Sequence, residues 1–193
     1  MEKVDLRVQR TKKVLKDTFK DMLLKSDYET ITIKDLCSKS MINRRTFYLH
    51  YNSIDDLMKD VLNDMSDEFS EYTKDYDHFE HPDRIVKDYF EFTNSRPLFE
   101  KLTNNVELDY IREQLNTKVA SSNEFASLKG IPEFKQNMIK VYINSSTVAL
   151  YRLWCKEGKK TPINEVTDYA IKLIQNGIKS IRKWESIWFP FFI

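Results

Sequence analysis

Residues 32–57 decide the fold of this chain, and they read TIKDLCSKSMINRRTFYLHYNSIDDL. Thr32 is a good N-cap for a short helix, and Asp35, three residues later, can complete a capping box. Leu36 then faces the interior while Lys34 stays in solvent. The segment therefore begins with a short amphipathic helix.

A second helix start follows at once. Asn43 is a strong N-cap, so the spacing predicts a helix over 44–50. Phe47 and Tyr51 lie four residues apart and can anchor one face of this helix, which leaves mainly polar and cationic side chains directed outward. Two short helices joined by a tight turn form a helix-turn-helix, and such a cationic face suits the major groove of DNA.

The run from Asn43 to Leu57 resembles the recognition helix and the following helix start of the tetracycline-repressor (TetR) family of bacterial transcription factors. The resemblance covers residues 8–68. In that family the turn usually reads Ala-Gly-Val where this chain has Ser40, Met41 and Ile42. We therefore expect Met41 to adopt the left-handed conformation, at some strain.

The resemblance also implies roles for single residues. Arg44 or Arg45 would contact guanine, while Thr46, Tyr48 and His50 would contact phosphates. The predicted DNA-binding residues are Thr32, Lys34, Asn43, Arg44, Arg45, Thr46, Tyr48 and His50.

The composition favours helices throughout. Only 3 Gly and 5 Pro occur in 193 residues, which argues against hairpins and glycine-rich phosphate loops. We predict an all-α fold with an N-terminal three-helix helix-turn-helix head and a C-terminal helical bundle, about nine helices in total. The predicted domains are residues 8–68 for DNA binding, 69–185 for effector binding and dimerisation, and an apolar tail at 186–193.

Charge is distributed unevenly along the chain. The formal total is +1, but residues 1–50 carry 12 Lys and Arg against 7 Asp and Glu (12 − 7 = +5), and the remainder carries 19 against 23 (19 − 23 = −4). A basic head on an acidic body is typical of a nucleic-acid binder with a separate second function. The alternative is that these charges only solvate helix faces.

Two long helices are predicted in the body, over 132–156 and 162–184, and both are apolar on more than one face. Such helices pack against their own core and against something else. The resemblance implies that this is a second copy, and small residues would permit close approach of the helices. The alternative is that they are central helices of a monomer. The predicted interface residues are Ser145, Ala149, Ala170 and Gly177.

The body is also rich in aromatic side chains, where members of the resembled family hold a small-molecule effector. The candidate pocket residues are Phe90, Phe99, Tyr110, Phe134 and Tyr142. Aromatic residues at helical spacing can equally form core. The run WCKEGKKTP at 154–162 resembles a C-terminal domain of Firmicutes members, some of which respond to a partner protein instead of a metabolite.

Other chemistry is not expected. His78 and His81 could hold a metal, but Pro82 interrupts any shared helix and no cysteine is near, so we predict a solvated loop and no metal or cofactor. No catalytic motif occurs, so we predict no enzyme. Cys37 and Cys155 fall in helices of different domains, and the charged N-terminus lacks an export segment, so we expect free thiols in a cytoplasmic protein without a membrane span.

The sequence therefore predicts a homodimeric TetR-family regulator, in the first place a repressor, that binds a palindromic operator of double-stranded DNA through residues 43–50. An effector acting on the C-terminal domain would control it. The alternative is a co-regulator of the same fold whose signal comes from a partner protein.

Overall fold

The computed structural model describes residues 6–112 and 123–188, with side chains at 6–112 and 124–180. Those residues contain helices and no strand, which confirms the predicted all-α fold. A further helical stretch occupies 109–112. The eight complete α-helices are α1 (Leu6–Lys25), α2 (Ile33–Ser40), α3 (Arg44–Tyr48), α4 (Ile54–Tyr72), α5 (Pro82–Asn94), α6 (Pro97–Asn104), α7 (Glu133–Lys156) and α8 (Ile163–Trp188).

The chain forms two compact units. The first comprises the described residues of Met1–Asp67 and Pro97–Thr117, and the second those of Glu68–Arg96 and Lys118–Ile193. Helix α4 has residues in both units because the boundary falls at residue 67. The tail predicted at 186–193 lies outside the described side chains, and 189–193 lie outside the described residues altogether.

The first unit holds the helix-turn-helix on a core supplied by α1, α2, α3 and α4. Phe19 on α1, Leu36 on α2 and Phe47 on α3 are fully buried in this core. Each of these side chains belongs to the apolar face of its helix. Packing of the three apolar faces against one another holds the helices together.

Segment 97–112 differs from the predicted domain division. The sequence assigned it to the second domain, whereas Leu102, Leu108 and Ile111 are buried in the core of the first unit. Lys101 Nζ donates to the carbonyl of Ser26 at 2.9 Å. Only tertiary packing reveals this placement, because the segment is separated from α1 by more than 70 residues.

The second unit packs α5 against α7 and α8. Its core contains Phe90 from α5, Tyr151 from α7 and Ile174 from α8. Phe90 and Tyr151 meet edge to face, with ring centroids 5.2 Å apart, an arrangement that stabilises aromatic pairs beyond their buried area.

Candidate nucleic-acid interface

The N-terminus of α2 is capped as the sequence predicts. The Asp35 N–H donates to Thr32 Oγ1 at 3.1 Å, and the Thr32 hydroxyl donates to the Asp35 carboxylate at 2.6 Å. The carboxylate thus bonds to the cap side chain, where a full capping box would bond to the cap N–H. Leu36 and Cys37 are buried, and Lys34 is exposed.

The turn between α2 and α3 is built on Met41. Its φ and ψ of 54° and 32° are left-handed, as the sequence predicted. The Ile42 N–H reaches back to the carbonyl of Cys37 at 3.0 Å and closes the end of α2. The Met41 side chain is 93% exposed, so the strained residue contributes nothing to the core.

Helix α3 begins after Asn43, as predicted. The Arg45 N–H donates to Asn43 Oδ1 at 2.8 Å, which satisfies one of the free donors at the helix start. The helix ends at Tyr48, so His50 lies in the following turn. The sequence predicts His50 inside the helix, and this prediction is wrong. The His50 N–H still donates to the carbonyl of Phe47 at 2.9 Å.

The inner face of α3 is fixed by two aromatic side chains. Phe47 and Tyr51 are buried, and their ring centroids lie 5.8 Å apart. The Tyr51 hydroxyl donates to Asp60 Oδ2 on α4 at 2.6 Å. Burial and this bond to the Asp60 carboxylate raise the pKa of the Tyr51 phenol. The phenol therefore remains a neutral donor that ties the turn after α3 to α4.

The outer face of α3 follows from the position of Phe47. Successive residues of an α-helix rotate by about 100°, so Arg45 and Leu49 point directly away from Phe47. Arg44 and Tyr48 lie on one flank of this outward face. Thr46 and His50, both half-buried, lie on the other flank.

The cations of α3 differ from those of α1. Arg44 and Arg45 are exposed, and within the described residues neither forms an ion pair. On α1, by contrast, Lys16 Nζ lies 2.7 Å from Asp64 Oδ2 and 3.7 Å from Asp60 Oδ1. Both arginines of α3 are therefore available to an external anion, whereas Lys16 of α1 is already neutralised by acidic side chains of α4.

Solved structures give the fold its place among known proteins. The chain aligns with a candidate TetR-family regulator from Shewanella sp. PV-4 (TM-score 0.61, 11% identity, 86% of this chain and 97% of that one). It aligns with a TetR transcriptional regulator from Streptococcus agalactiae 2603V (TM-score 0.58, 21% identity, 87% and 95%). This chain has the TetR-regulator fold.

Two further comparisons concern proteins of Bacillus subtilis. FadR from Bacillus subtilis, solved in complex with stearoyl-CoA, aligns with a TM-score of 0.53 and 14% identity over 83% of this chain and 96% of that chain. An uncharacterised HTH-type transcriptional regulator of Bacillus subtilis, YxbF, is 42% identical over 62 residues, which is 32% of this chain and 16% of that protein's length. No family model matches the chain.

The predicted interface residues of the TetR-type body separate into two groups. Ser145 and Ala149 are exposed on α7. Ala170 is 2% exposed and belongs to the core of its own unit. Gly177 faces the Tyr142 ring, and a Cβ added there would overlap the hydroxyl. Ala170 therefore serves packing within the chain, which corrects the interface predicted for it. Gly177 packs against Tyr142 in the same chain, and its role in an interface stays a prediction.

The predicted effector residues fall in both units and differ in burial. Phe99 and Tyr110 belong to the first unit, and Phe90 is fully buried in the core of the second. Tyr142 covers Gly177, and Phe134 is 75% exposed on α7. Phe134 is thus a surface residue, whereas the sequence predicts that it lines an effector pocket.

A polar cluster around Asp55 is not predicted by the sequence. Asp55, in the first turn of α4, accepts hydrogen bonds from Tyr28 and from Tyr110, the latter at 2.8 Å. Burial, followed by the Asp55 carboxylate, raises the pKa of both phenols. The cluster joins segment 97–112 to α4, the helix that follows α3. Sequence spacing carries no signal for it, because its members are up to 82 positions apart.

The last sequence features to be placed are the candidate metal ligands, the histidines and the cysteines. Within the described residues no three potential ligands gather as a metal site, and no helix there has the length and apolarity to cross a membrane. His78 is buried beside Thr73, with Nε2 and Oγ1 3.1 Å apart, so it is not the solvated loop residue that was expected. Cys37 and Cys155 are free thiols.

Proposed function

We propose that this chain is a TetR-type transcriptional regulator, and specifically a repressor, that binds a palindromic DNA operator as a homodimer. The observation that carries the proposal is the outward face of α3. It presents two arginines without ion pairs among the described residues, on a helix fixed from behind by Phe47 and Tyr51. The TetR and HTH-type regulators that this chain is similar to support the same assignment.

The arrangement of α3 suggests a division of labour on DNA. Arg45 lies at the centre of the outward face and would donate two hydrogen bonds to guanine O6 and N7. Arg44 with Tyr48 on one flank, and Thr46 with His50 on the other, would contact the phosphates that border the groove. Thr32, Lys34 and Asn43, at the two helix starts, complete the proposed contact set.

A second copy of the chain completes the proposal. Two heads must be held about 34 Å apart to read successive major grooves on one side of the duplex. Helices α7 and α8 carry large apolar side chains that are exposed in a single chain, a feature typical of interaction surfaces. We assign this surface, the exposed face, to the homodimer, and it consists of Phe134, Met138, Val141, Leu153, Tyr169 and Leu173.

Control of DNA binding would come from an effector that acts on the second unit. Segment 97–112 follows α5 directly in the chain and is tied to the head through Tyr110 and Asp55. A displacement of this segment would disturb the start of α4. It would thereby change the position of α3, which packs near α4. The FadR neighbour holds stearoyl-CoA, which makes a long-chain acyl-CoA the first ligand to test. A partner protein as the source of the signal is the alternative.

Selection of bound fragments from genomic DNA tests the proposal. We expect the wild-type protein to enrich an inverted repeat whose half-sites are centred about one helical turn apart. Arg44→Ala with Arg45→Ala should abolish the enrichment. The matched control, Lys129→Ala with Lys160→Ala, removes the same charge from exposed positions of the second unit and should preserve it. A wild-type protein that enriches no sequence contradicts the proposal.

A further inference from the structure

Leu49 occupies a position that packing does not explain. Its side chain is 74% exposed, and it lies one turn after Arg45, to whose carbonyl its N–H donates at 3.2 Å. Phe47, on the opposite side of the helix, is fully buried. Arg45 and Leu49 therefore share the centre of the outward face.

A single exposed leucine is ordinary on a protein surface. Leu49 differs because it stands at the centre of a face whose neighbours are polar or cationic, with Arg45 beside it and the flanks formed by Arg44 and Thr46. Any helix that presents this face to a partner presents Leu49 together with Arg45. The partner must therefore offer an apolar group close to an acceptor for the guanidinium.

The major groove of DNA offers this combination. Guanine presents two acceptors there, and thymine presents a 5-methyl group, the apolar group among the base edges. Four residues of α-helix advance by about 6 Å, while adjacent base pairs are about 3.4 Å apart. Side chains one turn apart thus reach base pairs within two steps of each other.

We propose that Leu49 reads a thymine through its 5-methyl group, within two base pairs of a guanine read by Arg45. This inference rests on the proposed function, since it requires α3 to enter the major groove. It makes Leu49 a specificity-determining residue.

Replacement of thymine by deoxyuridine tests the inference, because it removes the methyl group and leaves the base pairing intact. The experiment titrates the full chain, by fluorescence anisotropy, with the duplex enriched from genomic DNA and with versions carrying one deoxyuridine at a time. At one position in each half-site we expect the affinity to fall about fourfold, and about fifteenfold when both half-sites are changed, from the burial of one methyl group each.

Leu49→Ala should bind the thymine duplex about fifteenfold more weakly than the wild type, because the contact is lost in both half-sites. It should also no longer distinguish thymine from deoxyuridine. Because Leu49 is exposed, this variant is expected to keep its fold, which circular dichroism checks. Leu24→Ala, at an exposed leucine of α1, is the matched control and should retain the discrimination.

Two results would overturn the inference and leave the proposed function standing. One is a wild-type protein that binds the enriched duplex but shows equal affinity for thymine and deoxyuridine at every position. The other is a Leu49→Ala variant that still discriminates between the two bases. Failure to enrich any DNA sequence would instead overturn the proposed function, and the inference with it.

Discussion

Met41 carries the strain of the helix-turn-helix at the scale of a single residue. A left-handed conformation costs an L-residue about 1–2 kcal/mol, while glycine adopts it freely. The turn of this chain nevertheless places Met41 at φ 54°, with its side chain in solvent. The strain is therefore a local cost that no buried contact offsets.

Met41→Gly is expected to raise the free energy of unfolding by about 1 kcal/mol relative to Met41→Ala. Both variants lose the same exposed side chain, and only glycine relieves the backbone, so the comparison isolates the conformation. Urea denaturation followed by circular dichroism measures the difference. A glycine variant no more stable than the alanine variant would show that the turn relaxes at no cost.

At the scale of the element, the geometry of α3 gives neighbouring residues different positions on its outward face. Arg45 is central and Arg44 lateral, although the two are adjacent in sequence and indistinguishable by composition. From the sequence alone, both are candidates for the guanine contact. Burial of Phe47 orients the helix and separates their expected roles.

Arg45→Ala is expected to remove the preference for guanine at one base pair, at a cost of about 1–3 kcal/mol per half-site. Arg44→Ala should instead weaken binding to all sequences alike. Competition titrations with duplexes that carry single base substitutions compare the two variants, each of which serves as the other's control. The reverse pattern would contradict the orientation of α3.

The loop between α4 and α5 contains a buried histidine that affects stability. The His78 N–H donates to the carbonyl of Glu124 at 2.8 Å, and burial lowers the pKa of His78 although Glu124 and Asp77 favour its charged form. Native His78 thus binds a proton less readily than the unfolded chain does. Stability should therefore fall as the pH drops below about 6.5, the ordinary histidine value.

We expect the melting temperature to decrease between pH 7 and pH 5.5, and to decrease less in His78→Gln. Exposed His81 provides the matched control, since His81→Gln should keep the wild-type pH dependence. Differential scanning calorimetry across this range measures both. An identical pH dependence in wild type and His78→Gln would remove His78 as the cause.

The helix starts could be predicted from neighbouring residues in the sequence. The features that could not be predicted depend on contacts between residues far apart in the chain. Thr32 and Asn43 cap α2 and α3 through bonds to residues two or three positions away, so a short window of sequence contains all the information. Ala170 was misassigned because a small residue permits close approach equally within a chain and between chains. The bonds from Tyr28 and Tyr110 to Asp55 depend on the fold of the whole first unit.

At the scale of the whole molecule, we propose that the exposed face of α7 and α8 connects dimerisation with DNA binding. The exposed residue Ala149 lies on this face, between Val141 and Leu153 along α7. We expect Ala149→Glu to convert a dimer of twice 23.1 kDa into a folded monomer, because a buried unpaired carboxylate costs several kcal/mol. Light scattering at micromolar concentration measures the mass.

Asn164→Glu introduces the same side chain at an exposed position in the first turn of α8, on the side opposite Leu173, and should leave the dimer intact. A wild-type protein that is monomeric and still binds a full palindrome would contradict the role assigned to the exposed face.

The central claim, that α3 binds DNA selectively, is tested most directly by one titration. Fluorescence anisotropy at a fixed salt concentration compares the enriched duplex with a scrambled duplex of equal composition. We predict that the wild-type protein and the Lys129→Ala, Lys160→Ala control prefer the enriched duplex by about 10³-fold or more, and that Arg44→Ala with Arg45→Ala loses this preference. A double arginine variant that binds the enriched duplex as tightly and as selectively as the wild type would contradict the claim.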